Sequence, residues 1–213
     1  MARLVLVLAA TGLLLAGCGG KHASTTTTSP SGCVPVQAPA GRSRSAPRPK
    51  AKLDPRLTYD VTIATNCGAF TIRLAPRESP NATASFASLV ERGFYDRTVF
   101  HRIVPGFVIQ GGDPTGTGTG GPGYTTVDRP PADARYAHGV VAMAKTSVQA
   151  PGTAGSQFFV VTAGNTGLTP DYAIIGVVVQ GLVVVDRIDK LGDADGHPTE
   201  TVEIEHATVR SFG

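Results

Sequence analysis

The sequence predicts a mainly β fold, an antiparallel barrel or sandwich, for most of its 213 residues. Three observations support this class. Short apolar or alternating runs recur along the chain, Gly-, Pro- and Asp-rich loops separate them, and only one or two segments have helical periodicity. The strands therefore do not alternate with helices, as they would in a parallel sheet.

The first predicted element is a β-hairpin. Residues 59–64 alternate between apolar and polar side chains, as a half-buried strand does. Residues 66–68 (NCG) have turn composition, and residues 69–74 continue as a second strand.

The clearest helix follows this hairpin. Ser79 and Pro80 suit the N-cap and first helical positions. Phe86, Leu89 and Val90 then recur at the spacing of one helix face, and Gly93 ends the helix.

The rest of the chain contains mostly strand-like runs. We predict strands at residues 98–104, 107–110, 140–144, 156–162, 172–178 and 202–209. Residues 182–191 are ambiguous, because their valines favour a strand whereas their apolar period of three favours a helix.

The N-terminus has the features of a targeting segment, so residues 1–18 are interpreted as a signal peptide. Arg3 precedes an apolar stretch, residues 4–15, that is short for a membrane span. Residues 15–18 (LAGC) resemble a bacterial lipobox, which implies cleavage before Cys18 and acylation of Cys18. The alternative is an ordinary export signal with an incidental cysteine. The lipobox interpretation predicts a lipoprotein anchored to the cell membrane, with its domain outside the cytoplasm.

Residues 19–56 have the composition of a disordered linker rich in Pro, Ser and Thr. The linker carries a net charge of +6, whereas residues 57–213 carry −4. A basic arm can bind nucleic acid or anionic lipid. Because the domain is acidic and the chain has an export signal, we expect no nucleic-acid partner and interpret the arm mainly as a solvated linker.

Cys33 and Cys67 remain once Cys18 is assigned to the lipid. In an exported chain, two remaining thiols permit one disulfide, which would join the linker to the first hairpin. Two free thiols are the alternative.

Arg102 is the most informative residue for function. It lies in the mostly apolar run of residues 100–113 (FHRIVPGFVIQGGD). A buried, unpaired arginine is costly, so its side chain must reach solvent or a groove in which a ligand accepts its hydrogen bonds.

That run resembles the signature of the cyclophilin-type peptidyl-prolyl isomerases, and the resemblance covers residues 57–213. The other matching stretches, in family order, are residues 81–86 (NATASF) with 93–96 (GFYD), 139–144 (GVVAMA), 155–162 (GSQFFVVT) and 172–178 (YAIIGVV). The resemblance implies a closed antiparallel eight-stranded barrel capped by two helices. It also implies a monomeric isomerase that needs no cofactor or metal and binds Pro-containing segments of exported proteins, assisting their folding.

The resemblance assigns roles to individual side chains. Arg102 matches the catalytic arginine, and Gln110 matches a glutamine that binds the substrate backbone and positions the arginine. The residues matched to substrate binding are His101, Phe107, Val108, Ala144, Lys145, Gln157, Phe159, Leu168 and Tyr172.

Two positions depart from the family pattern. Gly167 replaces a tryptophan that contributes to cyclosporin binding and substrate packing, and Ile175 replaces a phenylalanine. The first change is expected to open the pocket wall and weaken inhibitor binding, and the second to reduce the apolar lining of the pocket. They leave open a non-catalytic module that binds Pro-containing peptides or acts as a chaperone. A surface lipoprotein that binds a small solute is a further alternative, supported only by the lipobox and linker.

Other motifs are not interpreted as cofactor or metal sites. The glycine string at residues 116–121 is followed by Pro122, so no nucleotide-binding helix can follow. Residues 193–196 (DADG) resemble the start of a calcium loop, but Ile204 occupies the position where that loop needs a glutamate, so we interpret them as a turn.

Overall fold

The computed structural model describes residues 29–213, which form eleven strands and two helices. The elements, in chain order, are β1 Thr58–Thr65, β2 Gly68–Leu74, α1 Pro80–Glu91, β3 Thr98–Val99, β4 Arg102–Val104, β5 Val108–Gly111, β6 Thr126–Val127, β7 Val140–Met143, β8 Thr153–Ala154, β9 Phe158–Val161, β10 Ile174–Gln180, α2 Leu182–Asp189 and β11 Glu203–Phe212.

Nine strands form one antiparallel sheet in the order β3-β11-β1-β2-β10-β7-β9-β5-β4. The edge strands β3 and β4 are separated in the chain by only Phe100 and His101, so the sheet curls until its two edges meet. This confirms the predicted mainly β, barrel-like fold with two helices. This sheet has nine strands rather than the predicted eight, because the run 98–104 forms two of them. It pairs with β11 before Phe100 and with β5 after His101.

Alternation along the strands divides their side chains between two faces. Ile103, Ile109 and Val160 are fully buried inside the barrel, in the main apolar cluster. Their sequence neighbours point to the opposite face, as the two-residue period of a strand requires. The functional side chains of β4, β5 and β9 therefore lie on the outer surface of the barrel.

Both helices lie where the sequence has helical periodicity. Helix α1 begins at Pro80, as predicted, but the Ser79 side chain makes no capping hydrogen bond. The carboxylate of Asp128 instead accepts hydrogen bonds from the backbone N–H groups of Asn81 and Ala82, at 2.8 and 2.6 Å. The ambiguous run 182–191 forms helix α2, whose Val185 and Ile188 are fully buried.

Strands β6 and β8, two residues each, pair with each other in a second, separate sheet and were not predicted.

Residues 29–56 contain no helix or strand, but they lie against the barrel, unlike the free linker that their composition predicts. A disulfide joins Cys33 to Cys67, and the backbone N–H of Val34 donates to the carbonyl of Asn66 at 2.7 Å. Leu53 packs on the main core. These contacts hold residues 29–56 against the barrel, and the composition of the segment alone does not reveal them.

The predicted signal peptide, residues 1–18 with Cys18, and residues 19–28 of the predicted linker lie outside the described residues. Within residues 29–213, neither helix has the length and apolar character needed to cross a bilayer.

Candidate active site

Arg102 is half-buried on the outer face of the barrel, directly opposite Gln110 in the β4–β5 ladder. Gln110 is in turn opposite Phe159 in the β5–β9 ladder, so the three side chains form a row across the sheet. Among residues 29–213, no carboxylate lies within salt-bridge distance of the Arg102 guanidinium. Its hydrogen-bond donors are therefore available to a ligand.

Beside this row lies an apolar surface that is separate from the barrel core. Its buried residues are Val108, Ala134, Tyr136, Ala142, Phe159, Val161 and Ile174, and Phe107, Val140, Ala144, Ala163, Leu168 and Tyr172 pack against them. The rings of Phe159 and Tyr172 meet edge to face, with centroids 5.4 Å apart. The structure thus brings together the five predicted apolar contacts Phe107, Val108, Phe159, Leu168 and Tyr172.

Tyr136 supports this surface and was missed in the sequence. Its hydroxyl donates to the carbonyl of Tyr172 at 2.7 Å and accepts from the Tyr172 backbone N–H at 3.0 Å. Burial raises the pKa of Tyr136 to about 12, so the hydroxyl stays neutral and can do both. Tyr136 lies in a loop with no periodic pattern, so no sequence signal identified it.

Two glutamines connect the apolar surface to a neighbouring groove. The side-chain amide of Gln110 donates to the Gln157 side-chain oxygen at 3.0 Å. The Gln157 amide donates to the carbonyls of Gly118 and Gly120, at 2.9 and 3.0 Å. Both glutamines are thereby fixed in orientation, with Gln110 held beside Arg102.

The groove has a volume of about 660 Å³ and runs between two loops. Residues 118–125 line it from one loop, and Ala144, Lys145, Thr146 and Gln149 line it from the other. The Lys145 ammonium lies 5.5 Å from the centroid of the Tyr172 ring and donates to the Gln149 carbonyl at 3.1 Å. Lys145 therefore links the groove to the rim of the apolar surface.

Asp113 organises the glycine-rich side of the groove. Its fully buried carboxylate accepts from the backbone N–H groups of Thr115, Gly118 and Gly120, at 2.7, 2.6 and 3.1 Å. Burial alone would raise the pKa of Asp113, but these hydrogen bonds outweigh it and lower the pKa. Asp113 was not a predicted site residue, although it ends the matched run of residues 100–113.

His101 lies close to the same loop rather than in the apolar surface. Within the described part of the chain, neither of its ring nitrogens has a hydrogen-bond partner. Burial lowers the pKa of His101, with the charge of Arg102 acting in the same direction. The ring is therefore mainly neutral at neutral pH, which is compatible with the predicted contact role.

The two departures from the family pattern have different consequences. Gly167 is exposed at the rim, with a φ of +66° and no atom within 4 Å of the place where a Cβ would stand. Ile175 is fully buried in the barrel core, so the expectation that it reduces the apolar lining of the pocket is wrong. Alternation along β10 directs Ile174 to the apolar surface instead.

Residues 193–196 form a turn, as predicted. The Asp193 carboxylate accepts from the backbone N–H groups of Asp195 and His197, at 2.9 and 2.8 Å. The ligand atoms of these three side chains lie within 4.8 Å of one another, but the residues are exposed and do not line the groove.

Comparison with known proteins agrees with this geometry. The family model described as cyclophilin-type peptidyl-prolyl cis-trans isomerase matches residues 60–209. The peptidyl-prolyl cis-trans isomerase-like 1 of Neurospora crassa is 40% identical over 158 residues, covering 72% of this chain and 95% of its own. The peptidyl-prolyl cis-trans isomerase A of Mycobacterium tuberculosis is 36% identical over 174 residues, covering 73% and 94%.

Solved structures show the same likeness. A cyclophilin-type isomerase of Cryptosporidium parvum superposes with a TM-score of 0.67 at 32% identity, covering 73% of this chain and 99% of its own. The structure of that enzyme in the presence of the dipeptide Ala-Pro superposes with a TM-score of 0.66 at 33% identity, covering 72% and 99%.

The fold and the site together define a barrel whose outer apolar surface is bordered by the Arg102 guanidinium. The chain belongs to the cyclophilin-type peptidyl-prolyl cis-trans isomerases, and it is an enzyme that accelerates rotation about X-Pro bonds. The family match leaves residues 29–56 outside its bounds.

Proposed function

We propose that this isomerase acts on exported proteins outside the cytoplasm, from a lipid anchor at Cys18, and assists their folding. The slow step that it removes is X-Pro rotation, which takes about 10–100 s without a catalyst. In this role it works as a monomer without a metal or cofactor, and its partners are Pro-containing segments of unfolded chains.

The catalytic part of the proposal rests on one observation, the unpaired Arg102 beside an apolar surface. The proline ring lies on Phe107, Val108, Phe159 and Leu168, while Arg102 donates to the carbonyl of the proline. As the bond twists, the nitrogen lone pair leaves conjugation and becomes a hydrogen-bond acceptor. A guanidinium that donates to this nitrogen binds the twisted state more tightly than either planar isomer, which is how a catalyst lowers the barrier.

Neighbouring side chains would hold the substrate in register. Gln110, fixed by Gln157, binds the substrate backbone and keeps Arg102 in place. The backbone of Ala144 and Lys145 pairs with the peptide, and Tyr172 closes the rim of the pocket. His101 contacts the groove side without exchanging a proton, since the reaction makes and breaks no covalent bond.

The location outside the cytoplasm is supported by two features. Residues 15–18 (LAGC) follow an apolar segment of signal-peptide length. The Cys33–Cys67 disulfide suits an oxidising compartment, because cytosolic thiols are kept reduced. Acylation with two or more chains would give stable anchoring where a single chain is marginal.

Expression of the full chain in a bacterium that processes lipoproteins tests this location. We expect palmitate labelling and sedimentation with membranes, both lost in Cys18→Ala. Cys33→Ser is the matched control, because it removes a different cysteine, one that lies in the disulfide, and should keep the label. A wild-type chain that remains unlabelled in the cytoplasmic fraction would refute the anchor without affecting the isomerase assignment.

A further inference from the structure

The glycine-rich wall of the groove needs external support. We call residues 113–125 the groove loop, and five of its residues are glycines. Glycine has more backbone freedom than any other residue, so the sequence of this loop does not by itself hold it in one conformation. Asp113 and Gln157 hold its inner side through Gly118 and Gly120.

The outer side of this loop is held by the N-terminal segment. Residues 41–48, here called the strap, run along the groove loop without forming a helix or a strand. The backbone N–H groups of Arg42 and Ala46 donate to the carbonyls of Pro114 and Pro122, at 2.9 and 3.0 Å. These two hydrogen bonds bind both the beginning and the far part of the loop.

Side chains of the strap extend this contact. The Arg48 guanidinium donates to the Thr125 carbonyl at 2.6 Å and lies 5.5 Å from the centroid of the Tyr124 ring, which lines the groove. Gly41 lies so close to the loop that a Cβ there would stand 2.1 Å from the carbonyl oxygen of Thr115. Strap and loop therefore pack without space for an added methyl group at this point.

The strap is also attached to the body of the domain. The Arg44 guanidinium donates to the carbonyls of Phe94 and Asp96, at 2.6 and 2.9 Å, between α1 and β3. The Cys33–Cys67 disulfide fixes the chain eight residues before the strap begins. A segment tied to the rigid barrel at two places can hold a glycine-rich loop in one conformation.

We propose that the strap is a specificity-determining part of the isomerase, which positions the groove loop for the residues flanking the substrate proline. Arg42, Ala46 and Arg48 are positioning residues, because they act through the loop and do not face the apolar surface. The strap lies outside residues 60–209, so the family barrel does not supply it. Substrates that occupy the groove depend on the strap, whereas an Ala-Pro unit that occupies only the apolar surface does not.

The test compares two peptides with the full chain and its variants. One is a blocked Ala-Pro dipeptide, and the other carries the same Ala-Pro unit with bulky residues on both sides. In Gly41→Ala, we expect the KM of the longer peptide to rise about fivefold, the size of one lost hydrogen bond. The kcat and KM of the dipeptide should stay unchanged.

Two further variants separate positioning from general damage. Arg48→Ala should also raise the KM of the longer peptide, and Arg48→Lys should restore part of the loss, since lysine can still donate to the Thr125 carbonyl. Gly164→Ala is the matched control, because no atom lies within 4 Å of its added Cβ. It should behave as the wild type.

Two results would overturn the proposal. In one, both strap variants leave the KM of the longer peptide unchanged. In the other, the two peptides lose turnover equally while the unfolding midpoint falls, which would make the strap a general stabilising element. If Gly41→Ala does not fold, the KM values of Arg48→Ala and Arg48→Lys test the proposal by themselves, because Arg48 is exposed. Dipeptide turnover by the wild type, measured in the same assay, reports the basic activity separately.

Discussion

Arg102 and Gly167 show how single residues shape this site. Arg102 is available because its neighbour Ile103 is buried in the barrel core, which leaves the Arg102 side chain on the outer face. Gly167 leaves the rim of the same surface open, since nothing lies within 4 Å of its missing Cβ. The first residue supplies the chemistry, and the second reduces the contact area offered to a ligand.

Gly167→Trp should increase affinity for cyclosporin, because the resemblance implies that a tryptophan at this position contributes to inhibitor binding. The positive φ will reduce stability by about 1 kcal/mol in any non-glycine variant. Gly167→Ala is therefore the control, since it has the same backbone cost without the ring. Titration by calorimetry should show tighter binding for tryptophan alone, and equal affinities for all three proteins would contradict this explanation.

Some residues of the site could be identified from the sequence, and others could not. Arg102 stood out because it interrupts an apolar run, and Gln110 was identified from the family resemblance. Tyr136 and Asp113 gave no such signal, because their importance depends on hydrogen bonds to Tyr172 and to the groove loop. Ile175 was misassigned because its position beside Gly176 does not reveal which face of β10 it occupies.

At the level of elements, the conformation of the groove loop depends on the buried carboxylate of Asp113. The pKa of Asp113 is lower in the folded protein than its ordinary value of 3.8. The ionised carboxylate therefore stabilises the fold at pH values above its unfolded pKa, and this contribution is lost as the pH falls through the folded pKa.

Asp113→Asn should accordingly destabilise the protein most at neutral pH. Asparagine keeps the size of the side chain but replaces one charged acceptor with an amide. Urea unfolding at pH 7 and at about pH 3, below the ordinary pKa, should show a gap between wild type and variant that narrows in acid. A gap of constant size would show that the charge of Asp113 is not what holds the loop.

The disulfide is the second element with a measurable effect. Cys33 and Cys67 are separated by 34 residues, so the bond restricts the unfolded chain substantially. Replacing both by serine should lower the free energy of unfolding by about 3 kcal/mol, and a reductant should have a similar effect on the wild type. Cys18→Ala, which leaves the bond intact, is the control. A double variant as stable as the wild type would mean that the bond contributes nothing to folding.

Elements with strong local patterns were predicted well. Strands β1 and β2 and helix α1 follow from alternation, turn composition and capping positions. The split between β3 and β4 could not be predicted, because it arises when the run changes its pairing partner. Strands β6 and β8 have two residues each, too few for a period to show.

For the whole molecule, the barrel could be predicted from the order of its strand-like runs and from the family resemblance. The position of residues 29–56 could not. Their composition indicates disorder, and only tertiary contacts to the groove loop and the barrel keep them in place. The basic charge of this segment does not reveal its position either, since two of its arginines, Arg44 and Arg48, donate to carbonyls of the domain.

The account depends most on Arg102 as the group that stabilises the twisted bond. The measurement that tests it most directly is cis–trans exchange of an Ala-Pro peptide by NMR, with wild type, Arg102→Ala and Arg102→Lys. We expect fast exchange with the wild type and a loss of about 100-fold in kcat/KM with alanine, which corresponds to about 2.7 kcal/mol of barrier. Lysine should recover only part of this, and the unfolding midpoints should agree. Wild-type exchange rates in Arg102→Ala would contradict the account.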